Sequence, residues 1–513
     1  MKNNLGLHLK KRALLNPDRE AVVDVNTGAR FSYAEANARC NQVANALTGA
    51  GLRPGDRVAT LLMNGYQFVE TFYGVAKVGG VIVTLNWRLV ADELSFILKD
   101  SGAETMIFAT PFTAICAELH ARGTGGTAIT RWLHVGAPAD TPEWAEHYET
   151  ALAGASHAEP EIAAADDDLL FIMYTSGTTG LPKGVMHSHS SMLWALITTS
   201  ATADFRKRDR FVICLPLFHV GALTPLMSMI YLGGTCLIMN QFDAQQIWEL
   251  FSTEQATGTL AVPAMLQAML QTLDKETHDY SSLRWVMSGA SPVPVNLIET
   301  YASMGIEVHQ VYGLTEVGGP ACLIDPDDAI ARAGSTGKAF FHTEVMVVGD
   351  NGLEAPVDVP GEVLVKGPNI MVGYWNRPEA TADTVVDGWL KTGDIAARDA
   401  EGFIYIRDRV KDMIISGGEN IYPAEIENVI LGVDGVQDTA VIGIPSEKWG
   451  ESPLAIVVRA DETVTEDAIL GACQHSLARF KQPVRVEWID TIPRNPTGKA
   501  LKRILREQYA AGA

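Results

Sequence analysis

Apolar and polar positions alternate between two periods along the first 400 residues. Positions 33–47 keep an apolar stripe at helical spacing, which stops at Gly49 and Gly51. Gly55-Asp56-Arg57 then leads into Val58-Ala59-Thr60-Leu61-Leu62, a strand-like run. Positions 68–78 return to the helical period, and Gly79-Gly80 introduces the strand Val81-Ile82-Val83. Further apolar runs, Leu169-Leu170-Phe171-Ile172-Met173 and Phe211-Val212-Ile213, read as buried strands. The rhythm predicts an α/β fold of layered sheets with largely parallel strands.

The texture changes after position 354. Glu362-Val363-Leu364-Val365-Lys366 and Gly402-Phe403-Ile404-Tyr405-Ile406 are expected strands of a small β-rich subdomain. A new unit begins near Lys411. Tyr422-Pro423 opens a helix, with proline tolerated in its first turn. Ala440-Val441-Ile442-Gly443-Ile444 and Leu454-Ala455-Ile456-Val457-Val458 are expected strands of a small α+β domain. The division is therefore a large N-terminal domain, 1–408, and a small C-terminal one, 409–513.

Composition narrows the class. A chain of 513 residues with 47% hydrophobic and 20% charged content exceeds one ordinary core. No apolar run reaches the ~18 residues of a membrane span, and positions 1–20 are too polar for a signal peptide. Six scattered cysteines without a Cys-x-x-Cys pair read as reduced, mostly buried thiols of a cytoplasmic protein, not as a zinc site. The net charge of −21 argues against a nucleic-acid partner. Positions from 409 onward carry 12 Lys and Arg against 15 Asp and Glu, so the acidic excess lies on the large domain. Arg206-Lys207-Arg208-Asp209-Arg210 is the local exception. It leaves open a solvated turn, guidance of an acidic ligand, or peripheral contact with an anionic membrane.

The segment Thr175-Ser176-Gly177-Thr178-Thr179-Gly180-Leu181-Pro182-Lys183-Gly184 follows a buried strand directly. Its glycines let backbone N–H groups converge on an anion, its hydroxyls add donors, and Lys183 supplies a point charge. That combination suits a polyphosphate. It lacks the Walker A spacing, and so does Gly334-Ser335-Thr336-Gly337-Lys338, where Arg332 takes the first glycine position and Ala339 the Ser/Thr position. The second segment reads as a turn near the site.

The first of these segments resembles the phosphate loop of the adenylate-forming superfamily of acyl-CoA synthetases, aryl-CoA ligases, adenylation domains and luciferases. Four more stretches resemble that family in order: Tyr312-Gly313-Leu314-Thr315-Glu316, Lys391-Thr392-Gly393-Asp394, Arg407-Asp408-Arg409-Val410-Lys411-Asp412, and Pro493-Arg494-Asn495-Pro496-Thr497-Gly498-Lys499. The likeness runs from Phe31-Ser32-Tyr33 to the end; one departure is Thr84, where relatives commonly carry proline. It implies ATP, Mg²⁺ and coenzyme A as cofactors and a carboxylic acid as substrate, joined in a cleft between a large domain and a mobile small one.

Residue by residue, the resemblance assigns Thr175, Ser176, Gly177, Thr178, Thr179, Gly180 and Lys183 to the β- and γ-phosphates. Thr315 would bond the α-phosphate, Glu316 would ligate Mg²⁺, and Tyr312 and Gly313 would line the adenine. Asp394 would hold the ribose hydroxyls and Arg409 would add a cation. Lys499 would bridge carboxylate and α-phosphate during adenylation. Lys411 would be the hinge that withdraws Lys499 and brings in Ser416, Gly417 and Gly418 beside the pantetheine. His219 would line or gate the acyl pocket, whose wall would include Gly289, Ala290 and Ser291. His187, Ser188 and His189 lack a third ligand for a metal.

The implied activity is AMP-forming ligation of a medium- to long-chain fatty acid to CoA. The motif at Ile414 to Pro423 looks most like bacterial fatty acyl-CoA synthetases, and the expected pocket stretches 221–229 and 262–265 are apolar and Met-rich. An aryl-CoA ligase for benzoate- or cinnamate-type acids stays open. So does adenylation for a separate carrier protein, although no carrier sequence follows Ala513. A luciferase-type oxygenase has no separate support. Oligomeric state is open, a homodimer included.

Overall fold

A computed structural model of the chain describes residues 3–175, 182–290, 293–349, 351–409, 412–416, 419–446, 449–460, 462–477, 479–494 and 500–509. Two large sheets share the first apolar core. The eight-stranded sheet runs, edge to edge, through Gly373–Tyr374, Lys183–Ser188, Leu169–Thr175, Val81–Thr84, Arg57–Leu61, Thr105–Ala109, Arg131–Val135 and Glu146–His147. Its pairs are parallel from Leu169–Thr175 to Glu146–His147 and antiparallel on the other side. The nine-stranded sheet is parallel through its middle, with Trp285–Gly289 beside Glu307–Tyr312, and ends in antiparallel strands on both edges.

Helices Tyr33–Gly49, Tyr66–Lys77, His189–Thr202 and Val220–Leu232 contribute to that shared core. It joins Val58, Ile82 and Phe171 of one sheet to Val22, Phe211 and Ile213 of the other. Separate apolar clusters on the outer faces complete the α/β layering that the alternating pattern predicts. Helix Tyr33–Gly49 begins with a reciprocal capping box between Ser32 and Glu35. Gly79, at φ +76, makes the turn between helix and strand that its doublet with Gly80 suggests.

The β-rich part is a five-stranded antiparallel sheet of Glu344–Val348, Gly361–Lys366, Trp389–Arg398, Val385–Val386 and Ile404–Arg409. Its last strand starts two residues later than the pattern suggests and runs on to Arg409. Asp399 Oδ1 accepts from the N–H groups of Glu401 and Phe403, and Gly402 sits at φ +90, so Gly402 and Phe403 belong to the turn. A further five-stranded sheet uses only later residues, Ile414–Ser416, Glu419–Ile421, Val436–Ser446, Gly450–Arg459 and Val486–Trp488. All six cysteines are buried and unpaired. Among the described residues no helix is long and apolar enough to cross a membrane.

Candidate active site

Strand Leu169–Thr175 returns as strand Lys183–Ser188, with Thr175 directly opposite Lys183. The two ends of the glycine-rich loop thus meet at the C-terminal end of a central strand, where open α/β sheets bind ligands. Ser176, Gly177, Thr178, Thr179 and Gly180 themselves lie outside the described residues. Lys183 Nζ stands 5.0 Å from the ring centroid of Tyr374. The Tyr374 hydroxyl in turn donates to Glu316 Oε1 at 3.0 Å. The phosphate-loop lysine and the acid of the second motif therefore meet on one aromatic side chain.

Glu316 lies in a tight turn after strand Glu307–Tyr312. A methyl group on Gly313 would sit 1.5 Å from the Gly319 carbonyl oxygen, so only glycine allows the two chain segments to pass. Neighbouring elements hold this turn by its backbone. His187 Nε2–H donates to the Thr315 carbonyl at 2.7 Å, and the Met371 N–H donates to the Glu316 carbonyl at 2.7 Å. The Asn369 amide donates to Val317 and Pro320, and Thr224 Oγ1 donates to Gly318. Burial pushes the His187 imidazole down to about 4, which keeps it neutral with one nitrogen donating.

These contacts occupy the backbone carbonyls of Thr315 and Glu316, and the Glu316 carboxylate, which accepts from Tyr374, is a hard oxygen donor in the same turn. One carboxylate is what Mg²⁺ needs when substrate phosphates and water fill its other positions. No cluster of three or more His, Cys, Asp or Glu among the described residues forms a dedicated metal cage, and the residues present fit a phosphate-held Mg²⁺.

Tyr312 ends its strand with its hydroxyl 2.7 Å from Asp394 Oδ2. Asp394 is 4% exposed, its N–H donates to Thr392 Oγ1, and that hydroxyl donates to the Val363 carbonyl. Across the ladder Asp394 pairs with Arg409, so the third motif and the start of the fourth are neighbours by register.

The residues expected on the acyl side lie at the ends of separate elements. Gly289 ends its strand opposite Val311, and a Cβ there would approach the Val311 carbonyl oxygen to 2.2 Å. Ala290 follows at φ +68, a strained position for a non-glycine residue. Ser291 is outside the described residues. His219 precedes helix Val220–Leu232 and its ring is tilted against that of Phe218, with centroids 4.5 Å apart. Its Nε2 is buried without a partner, and burial plus the nearby Arg88 push its imidazole down to about 3. A buried imidazole that resists protonation suits the lining role expected of it. Met227 and Met229 are wholly buried in the shared core.

Of the small-domain candidates, Ser416 is buried and pairs by register with Glu419 and Gly450. Lys411, Gly417, Gly418 and Lys499 fall outside the described residues, as does the side chain of Arg409. Arg494 and Ala500 form a bridge that brackets the lysine segment. In the basic run, Arg206 pairs with Asp204, and Arg210 with Glu20 and Glu254, while Lys207 and Arg208 are exposed. Ser335 and Thr336 of the Walker-like segment bond the Ile404 carbonyl, as a turn does. Sequence reasoning misses Tyr374, Asn369 and Thr224. The local hint for Tyr374 is an aromatic pair, Tyr374-Trp375, after Gly373.

Comparison with known proteins agrees with this arrangement. Residues 9–375 match the family model of the AMP-binding enzyme, and residues 425–499 match that of the AMP-binding enzyme C-terminal domain. A long-chain-fatty-acid–CoA ligase, FadD13, of Mycobacterium tuberculosis is 45% identical over 508 residues, covering 99% of each chain. A feruloyl-CoA synthase from Amycolatopsis is 38% identical over 507 residues, 98% of this chain and 99% of that one. Among solved structures, a Mycobacterium tuberculosis fatty acyl CoA synthetase superposes with TM-score 0.80 at 44% identity, covering 99% of both. ATP-bound MatB from Rhodopseudomonas palustris superposes with TM-score 0.89 at 32% identity and the same coverage. With both family models matched in order and the motif residues converging around Tyr312, Glu316 and Asp394, the chain belongs to the AMP-binding enzyme family.

Proposed function

We propose that the protein is an AMP-forming acyl-CoA ligase acting on a medium- to long-chain fatty acid. The observation that carries this reading is the end-to-end likeness to the mycobacterial long-chain-fatty-acid–CoA ligase, 45% identical over 508 residues. A carboxylate oxygen attacks the α-phosphorus of ATP and pyrophosphate leaves, giving an acyl-adenylate. The CoA thiol then attacks the acyl carbon, and AMP leaves with the former carboxylate oxygen. Such chemistry depends on positioning and on charge placed where the phosphates sit.

In this reading Thr175 to Gly180 and Lys183 hold the β- and γ-phosphates. Thr315 bonds the α-phosphate, and Tyr312 with Gly313 borders the adenine. Asp394 takes the ribose hydroxyls, with Arg409 beside it on the next strand. Glu316 holds Mg²⁺, which when bound offsets phosphate charge. Lys499 acts in the first half-reaction, and rotation about Lys411 brings Ser416, Gly417 and Gly418 to the pantetheine. His219, Gly289, Ala290 and Ser291 line the acyl group. The proposed domain division at 408/409 falls one residue before the end of strand Ile404–Arg409, and the strands of the last sheet begin at Ile414. Exposed Lys207 and Arg208 support peripheral contact of an otherwise cytoplasmic enzyme with an anionic membrane; a homodimer remains part of the proposal.

The feruloyl-CoA synthase likeness, at 38% identity, favours an aryl-CoA ligase as the second reading. AMP formation with ATP, Mg²⁺ and CoA against acetate, butyrate, octanoate, palmitate, benzoate and 4-coumarate separates the two. CoA-dependent AMP release that rises with chain length is expected. Preference for the aromatic acids replaces the first reading with the second, and pyrophosphate exchange without CoA-dependent AMP release makes a carrier protein the acceptor.

A further inference from the structure

Tyr374 belongs to none of the motifs quoted above, yet it touches groups of opposite charge. Its ring face lies 5.0 Å from Lys183 Nζ, within the range of a cation–π interaction. Its hydroxyl donates to Glu316 Oε1 at 3.0 Å. Tyr374 is 8% exposed and its partners Lys183 and Glu316 are half-buried, so water screens both contacts less than it would at the surface.

The backbone fixes the ring from both sides. Tyr374 pairs with Val185, two residues beyond Lys183, on the edge of the eight-stranded sheet. The N–H groups of Val372 and Trp375 donate to the carbonyls of Met186 and Gly184, and the Tyr374 N–H donates to Thr381 Oγ1. One step earlier, the Met371 N–H holds the Glu316 carbonyl. The segment 371–375 is therefore fastened both to the strand that bears Lys183 and to the turn that bears Glu316.

We infer that Tyr374 is a positioning residue that sets the separation of the phosphate-binding lysine from the metal-binding glutamate. It does so through its ring on one side and its hydroxyl on the other. The inference rests on the adenylating reading of Lys183 and Glu316. The hydroxyl occupies a lone pair of one carboxylate oxygen and fixes the rotamer, as hydrogen bonds to metal-binding carboxylates do. The ring face aims the ammonium through a cation–π contact, which leaves its N–H donors directed to an anionic ligand.

Two substitutions separate the contacts. Tyr374→Phe keeps the ring and removes the hydroxyl; Tyr374→Leu removes both. Binding of Mn²⁺ in the presence of a non-hydrolysable ATP analogue, followed by electron paramagnetic resonance, reads the carboxylate. Binding of the same analogue without metal reads the lysine. Tyr374→Phe is expected to weaken Mn²⁺ binding roughly ten- to hundredfold and to leave metal-free analogue binding unchanged. Tyr374→Leu is expected to weaken both.

In turnover, Tyr374→Phe should raise the Mg²⁺ requirement and the KM for ATP, with the KM for the acid unaltered. Wild-type Mn²⁺ affinity in Tyr374→Phe overturns the inference, and so does equal loss of metal-free binding in both variants. Thermal midpoints of the apo proteins verify folding, and Tyr374→Phe alone decides if Tyr374→Leu does not fold. A wild-type protein that releases no AMP with any acid refutes the ligase reading independently of these binding results.

Discussion

The hydroxyl of Tyr312 and the carboxylate of Asp394, 82 positions apart, are 2.7 Å from each other in a largely buried setting. The contact joins the end of a strand in the nine-stranded sheet to a strand of the β-rich sheet. Tyr312→Phe keeps the ring and deletes the donor to a buried carboxylate, a change that costs about 1.5–3 kcal/mol. If Asp394 holds the ribose, kcat/KM for ATP should fall roughly ten- to hundredfold, with the KM for the acid little changed. Equal effects on ATP and acid would show that the pair serves only the fold.

Gly313 should tolerate no side chain. A Cβ would lie 1.5 Å from a backbone oxygen of Gly319, which has no flexible side chain that could move away. Gly313→Ala is expected to destabilise the protein by on the order of 4 kcal/mol, or to displace the Thr315–Glu316 turn and abolish ATP binding. Gly313→Ala with wild-type urea midpoint and ATP affinity would refute the close approach.

Buried histidines make stability depend on acid pH, and His187 and His189 are two of them. Burial pushes both His187 and His189 down to about 4. Their unfolded forms take up protons below about pH 6.5 while the folded forms refuse them. Their stabilising effect is complete above that pH and is lost as pH falls towards 4. Each such histidine should remove about 3 kcal/mol over that window. Urea midpoints measured between about pH 7 and pH 4.5 should fall accordingly. The fall should be shallower in His187→Gln, which retains an amide donor for the Thr315 carbonyl. A flat wild-type profile would contradict the buried, neutral state.

The proposed role of Lys499 divides the two half-reactions. Lys499→Ala should reduce ATP–pyrophosphate exchange by roughly a hundred- to a thousandfold, while CoA thiolysis of a supplied acyl-adenylate stays near wild type. Equal loss in both steps would remove Lys499 from its assigned half-reaction.

Tyr312, Glu316, Asp394 and Lys183 are legible in the sequence because each sits in a short stretch whose neighbours narrow its chemistry. The strands at 169–173 and 81–83 are legible because short apolar runs bounded by turn residues have few other readings. Tyr374 and Asn369 are not legible, since their roles arise from register. Gly373–Tyr374 pairs with a strand nearly two hundred positions earlier, and the Asn369 amide meets Val317 and Pro320 through chain reversal. His187 is visible as a polar residue beside the phosphate loop, but its task, donating to the Thr315 carbonyl, depends on a contact 128 positions away. The start of strand Ile404–Arg409 depends on the Asp399 side chain capping the preceding turn, which apolar alternation does not register.

The sequestered cysteines carry an experimental convenience. Burial raises the thiols of Cys40 and Cys322 to about 12 and those of Cys214 and Cys473 to about 11, with Cys116 and Cys236 pushed up as well. A thiolate-seeking chromogenic reagent therefore finds almost nothing to react with on the folded protein. The same reagent added to portions withdrawn at intervals titrates the CoA that remains, so thioester synthesis is read as the loss of colour between time points. Any colour that develops without CoA then reports unfolding.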